Sequence, residues 1–234
     1  MNSATAESAS ALHMVLAGDP VLFSIVWLSM LVSLTAVLFA SVIGVPLGAL
    51  IALTQFRGRE SVIVLLNALM GLPPVVVGLA VFLMLSRSGP LGALGLLFTP
   101  AAMVIAQTVL VTPIIAALTR QTVEDLWIEY RDEFTAMAVR PFPRVCALIW
   151  DARFSLVTAL LAGFGRAAAE VGAIIIVGGN IDGFTRTMTT AIALETSKGN
   201  LDLALGLGLV LIFLVILINA MAWGVRRVGE RLAG

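Results

Sequence analysis

Arg166 and Glu170 stand four residues apart inside an otherwise apolar run, from about Phe154 to Val177. A guanidinium attracts anions, and a carboxylate held away from water can carry a proton. At this spacing the two share one helical face and can form an ion pair, which lowers the cost of holding both in lipid. Two readings therefore stand side by side: groups facing a water-filled path, or a bridge that locks this span to its neighbours. Little else in the chain could do covalent chemistry. His13 and Cys146 are each the sole residue of their kind, so neither a histidine metal site nor an internal disulfide is available. Lys198 is the only lysine, and no G-x-x-x-x-G-K-[ST] run precedes it. The chain has no Walker phosphate cradle, so if ATP drives it, a separate chain binds the nucleotide. No catalytic residue, metal or cofactor is assigned.

The elements that must position these groups are membrane spans. Of the 234 residues, 60% are hydrophobic, the mean hydropathy is +1.07 and the net charge is zero. The uncharged runs are too long for a soluble core, and nothing basic points to nucleic acid. The expectation is an all-α polytopic membrane protein with about five transmembrane helices. Residues 1–20 form a short extracytoplasmic tail without Lys or Arg. Val21–Leu53 carries no charge, and its Gly44-Val45-Pro46 and Gly48 mark either a bend or a G-x-x-x-G face for close helix approach. Ser61–Leu85 is interrupted by Gly71-Leu72-Pro73-Pro74, a break that needs cover from protein or a water-filled path. Residues 91–99 suggest a short interfacial helix. A third span runs from Pro100 to Thr119, and the fourth holds Arg166 and Glu170. Thr185–Asn200 is polar, with room for a short helix. A fifth span covers Leu201–Trp223, within a transmembrane domain of 21–225, and a tail at 226–234 follows.

Between the third and fourth spans lies a charged island, 120–153, in which eleven of 34 residues are charged. Such a segment must sit in water. Placing the N-terminus outside puts ten arginines on the cytoplasmic side and leaves Arg87, Arg186 and Lys198 outside, so the arginine bias makes the island and the C-terminus cytoplasmic. Within it, Asp132 to Val139 reads as one or two helical turns gathering Phe134, Met137, Ala138 and Pro141 on one side, ended by Arg140-Pro141-Phe142-Pro143. Exposed beneath a membrane, such a helix suits a groove in a soluble partner, or else packs on its own membrane domain.

Several motifs carry a family resemblance. Gly163-Phe164-Gly165-Arg166-Ala167-Ala168-Ala169-Glu170-Val171-Gly172, the loop Gly178-Gly179-Asn180-Ile181, Thr185-Arg186, and Thr189-Thr190-Ala191-Ile192-Ala193-Leu194-Glu195-Thr196-Ser197-Lys198-Gly199 resemble the oxyanion permeases of type I ATP-binding-cassette (ABC) importers. Within that group they look most like tungstate permeases, with molybdate and sulfate permeases related. Gly71-Leu72-Pro73-Pro74-Val75-Val76-Val77-Gly78-Leu79 is similar to an L-P-P-V-V-x-G-L stretch of the same group. The resemblance implies a ModB/MetI-like fold and a multi-pass protein of a prokaryotic inner membrane. It implies a homodimer, two copies of a cytoplasmic ABC ATPase and an extracytoplasmic oxyanion-binding protein. Asp132, Glu133, Phe134, Met137, Ala138, Arg140 and Pro141 would be the ATPase-coupling element, with Val139 where the family's E-A-A-x-x-x-G motif has glycine. Arg166, Asn180, Thr185, Thr189 and Thr190 are the candidate substrate path. A proton-coupled secondary transporter using Glu170 is the competing reading; it leaves the charged island unexplained.

Overall fold

The computed structural model describes residues 20–233, with side chains described through Gly224 and at Arg227. The expected N-terminal tail, except for Pro20, lies outside the described residues. The helices in order are α1 (Pro20–Leu53), α2 (Arg59–Met70), α3 (Pro74–Leu85), α4 (Pro100–Ala136), α5 (Pro141–Asp151), α6 (Arg153–Ala168), α7 (Gly172–Gly178), α8 (Met188–Lys198) and α9 (Leu201–Ala233). The fold is all-helical. α1, α4 and α9 up to Gly224 are each long and apolar enough to cross a membrane. α2 with α3, and α5 with α6, each pass the same test as one interrupted span, which gives five.

Several boundaries differ from the expected ones. The third span does not stop at Thr119. α4 runs unbroken for 37 residues into the charged island, because Glu124, Glu129 and Arg131 are good helix formers and water accepts their charges. Residues 91–99 hold only one 3-10 turn, Gly92–Leu94. The fourth span ends at Ala168, not Val177, and a separate short helix follows. The double proline breaks its span as expected: the chain turns at 71–73, and Pro74 takes the first position of α3, where a missing N–H costs nothing.

The chain forms two compact units. Of the described residues, one comprises 20–36, 73–107 and 167–220; the other 37–72, 108–166 and 221–233. The first unit is built around Leu22 and Ile25 of α1, Met188 and Ala191 of α8, and Leu207 of α9. Ser29 extends that contact, accepting the Met188 N–H at 2.7 Å. Also in this unit, Gly78 of α3 lets α7 come so near that an added Cβ would lie 2.7 Å from Ala173 Cα.

In the second unit α1 lies directly on α4. Gly48 meets the backbone of Ala116 and Arg120, and Gly44 that of Thr112 and Ala116. The G-x-x-x-G reading of this pair is therefore the right one, and α1 continues through Pro46 to Leu53. Below this contact Glu124 accepts from Arg59 at 2.6 Å and from Arg120. Arg59 also donates Nε to the Ile51 carbonyl at 3.0 Å, tying the end of α1, the start of α2 and the middle of α4 together. These arginines served in the sequence only as topology signals.

Candidate functional site: a broken span and a helical elbow

In the first unit the chain after Ala168 leaves its helix for three residues before α7 begins. A break of this kind frees backbone groups that lipid cannot satisfy. Protein satisfies them here. The Gln107 side-chain amide, 1% exposed, donates to the Ala167 carbonyl at 2.9 Å. Glu170, 3% exposed, turns its carboxylate back to accept the Ala173 N–H at 3.0 Å, while its own carbonyl accepts the Thr189 hydroxyl at 2.7 Å. The Glu170 carboxylate, one residue before the N-cap Val171, thus satisfies a first-turn N–H of α7, a use of a carboxylate at a helix start that needs no proton traffic. Arg166, half-buried, lies in the last turn of α6. The expectation that Arg166 and Glu170 share one helical face does not hold, because no helix connects them.

The threonines assigned to the substrate path are already engaged. Thr185 Oγ1 donates to the Gly178 carbonyl at 2.6 Å and accepts the Ile181 N–H at 2.9 Å, closing the loop in which Asn180 adopts a left-handed conformation (φ 50°). Thr190 and Thr187 form a reciprocal capping box at the start of α8. Thr189 is held by Glu170. The cavity that Thr187 and Thr189 share with Ser29, Ser33, Gln107 and apolar neighbours such as Met30 and Ile174 has a volume of about 10 Å³, the room of one water. A tetrahedral oxyanion does not fit there. At the other end of α8, the Lys198 and Asn200 side chains hydrogen-bond the buried Glu195 carboxylate and hold it below the usual carboxylate range.

In the second unit, α4 and α5 form an elbow. Val123, Leu126, Trp127, Tyr130 and Phe134 fall on one face of α4 and pack against Val145, Leu148 and Ile149 of α5 and Ala49, Ala52 and Leu53 of α1. Trp127 stacks on Phe134 with ring centroids 6.3 Å apart, and the Arg144 guanidinium covers Trp127 at 4.7 Å. α4 then ends in a Schellman turn. Val139 N–H donates to the Phe134 carbonyl and Ala138 N–H to the Thr135 carbonyl, both at 3.1 Å, with Ala138 at φ 50°.

The turn corrects two sequence expectations. Its left-handed residue is Ala138, one before Val139, which stands where the family motif has glycine. Arg140-Pro141-Phe142-Pro143 does not merely stop a helix; it starts α5, since proline suits a first helical turn. Phe134 faces inward and is half-buried, so it is part of the elbow's core. Asp132, Glu133, Met137, Ala138, Arg140 and Pro141 are exposed as expected. Phe142 was missed: it is 78% exposed beside Met137 at 76%, so two large apolar side chains crown the turn. No local signal marked it, because its flanking prolines end one helix and begin the next equally well.

A left-handed alanine costs about 1 kcal/mol that glycine would not. Ala138→Gly is expected to raise the thermal midpoint of the purified protein, by the equivalent of about 1 kcal/mol. A lowered midpoint would show that the turn is not held as described.

These features define a multi-pass helical membrane protein with two interrupted spans and a charged helical elbow. No family model matches the sequence. Individual relatives do. A Haloferax volcanii protein named "Probable anion ABC transporter permease protein" is 42% identical over 205 residues, 86% of this chain and 88% of its own. The tungstate uptake system permease protein TupB of Peptoclostridium acidaminophilum is 37% identical over 93% of this chain and 95% of its own. Among solved structures, a chain of the MetNI methionine ABC transporter, in a study of its inward-facing conformations, matches with a TM-score of 0.74. That match covers 89% of this chain and 95% of that one at 19% identity, a likeness of fold. The chain belongs to the permease family of ABC transporters, as the motifs at 71–79 and 163–199 implied. It is a permease subunit, and ATP hydrolysis belongs to a separate subunit.

Proposed function

We propose that this chain is the channel-forming subunit of an ATP-driven importer that carries tungstate, or a like tetrahedral oxyanion, into the cytoplasm. The observation that carries this reading is the near full-length similarity to a tungstate uptake permease. Two copies would form one path in the inner membrane, with the N-terminus outside and the C-terminus inside, in keeping with ten basic residues against three. Two ATPase subunits would seat the elbows through Met137, Phe142 and the exposed charges around them, and an extracytoplasmic binding protein would deliver the anion. Asp132, Glu133, Ala138, Arg140 and Pro141 belong to the same contact; Phe134 supports it from behind. Thr185, Thr189, Thr190 and Asn180 shape the loop and α8 start at the far side, and Arg166 remains the cation that an oxyanion in the membrane would meet. Glu170 is explained by its capping bond, which leaves no need for a proton carrier.

The complex with its ATPase and binding protein, reconstituted in proteoliposomes, is expected to accumulate tungstate only with ATP. Vanadate should stop uptake and a proton ionophore should not. Uptake lost to the ionophore but resistant to vanadate would overturn the ATP-driven reading in favour of proton coupling.

A further inference from the structure

A cavity of about 300 Å³ opens in the second unit between the middle of α4 and the start of α6. Leu118, Gln121 and Thr122 line it from α4, and Ser155, Thr158 and Ala159 from α6. Thr122 spends its hydroxyl on the Leu118 carbonyl, as Thr112 and Thr135 spend theirs on carbonyls one turn back. Gln121, Ser155 and Thr158 make no such bond among the described residues, and all three are exposed. They are hydrogen-bond donors left available at the edge of a membrane span.

The outward faces of other spans read differently. α1 exposes Leu31, Leu34, Leu38 and Phe39, and α9 exposes Leu209, Ile212, Phe213 and Ile216, as lipid requires. α6 exposes Ser155, Thr158 and Ala162 instead, followed by Gly165, where an added Cβ would meet nothing within 4 Å. A small, hydroxylated face beside an open cavity is suited to water or to a closely packed helix rather than to acyl chains. No carboxylate and no arginine lines the cavity.

We propose that this cavity is the inner station of the transported oxyanion, where it is held before release to the cytoplasm. This rests on the oxyanion reading given above and adds where, and by which groups, the anion is held. The Ser155 and Thr158 hydroxyls and the Gln121 side-chain N–H donate to the oxygens of a tetrahedral dianion, which remains partly hydrated in a space of this size. Neutral donors hold it without an arginine's charge-assisted grip, so the anion leaves quickly. At this station the exclusion of carboxylates, rather than a fixed cation in the lining, keeps the surroundings favourable to an anion.

The test uses the whole reconstituted complex. Thr158→Asp is expected to cut ATP-dependent tungstate uptake at least tenfold, and Ser155→Val with Thr158→Val severalfold, while assembly and ATP hydrolysis persist. Thr158→Ser should transport normally. In a Cys146→Ser background, Thr158→Cys should react with a charged thiol reagent applied from the cytoplasmic side, and tungstate should slow that reaction. Normal uptake by both the Asp and the double Val variants would overturn the proposal; that is the outcome if an acyl chain fills the cavity. Labelling that tungstate leaves unchanged would also overturn it. If the unaltered complex moves no oxyanion, the functional reading fails first and this proposal falls with it.

Discussion

Gly48→Leu is expected to abolish accumulation of folded protein. An added Cβ at Gly48 would sit 2.4 Å from the Ala116 carbonyl oxygen and 2.9 Å from the Arg120 nitrogen. Both atoms are backbone of α4, so no side chain can swing aside to make room. Either the helices part along their whole contact or the substitution is not accommodated. Overpacking of a well-filled site costs about 1–3 kcal/mol, and more where nothing can relax. Separation would also strain the Arg59–Glu124–Arg120 lock one turn below, which needs α1, α2 and α4 in register. Gly44→Ala should be milder, since its nearest neighbours lie at 3.1 Å and one is the Ile115 side chain. Gly208→Ala, where an added Cβ meets nothing within 4 Å, is the control and should be neutral or stabilising. Monodisperse yield in detergent and the thermal midpoint measure all three. A Gly48→Leu protein with a normal yield and midpoint would refute the close contact.

Phe142→Asp is expected to leave the membrane domain folded and to disconnect it from its ATPase. Phe142 and Met137 present apolar surface to water with no packing of their own to maintain. Large side chains in such positions anchor helix-in-groove contacts, and truncating an anchor typically costs about 2 kcal/mol or more, roughly thirtyfold in affinity. A carboxylate should cost more still, because it must be buried unpaired. Met137→Asp should act in the same direction. Phe134→Asp makes the informative contrast: by placing a charge among Trp127, Tyr130 and Val145 it should unfold the elbow itself and lower the thermal midpoint. Copurification of the ATPase and ATP-dependent uptake separate the two effects. Phe142→Asp and Met137→Asp proteins that bind the ATPase and transport normally would remove the elbow from its assigned role.

How much of this could be read in the sequence depended on which residues carry their signal locally. Span lengths were legible because lipid admits only long apolar helices. The break at Pro73-Pro74 was legible because proline removes a donor wherever it stands. The break after Ala168 was not, since Ala-Ala-Ala-Glu is a strong helical run. It yields only because the Glu170 carboxylate and the Gln107 amide, sixty or so residues apart, supply the partners the helix would otherwise give itself. The left-handed turn at Ala138 was not legible for a similar reason. Alanine carries no mark of a left-handed turn, and the hydrogen bonds to Phe134 and Thr135 decide where the turn falls. Phe142 hid behind its prolines, which end one helix and begin the next with equal ease. The threonines of 185–190 were legible as donors, but not as donors already spent.

The division into two units has a consequence for how the protein is made. Each unit draws on three stretches of chain, and the stretches alternate along the sequence. The first unit cannot close until α9 has left the ribosome, and the second still lacks α6 when more than half of the chain has been synthesised. The early spans must therefore wait in the bilayer as individually stable helices. α1 meets that demand with 34 residues free of any charge. Biogenesis should then follow insertion first and packing second. No truncation should yield an autonomous half, and a stalled chain ending before α6 should present an uncovered α4 to quality-control proteases.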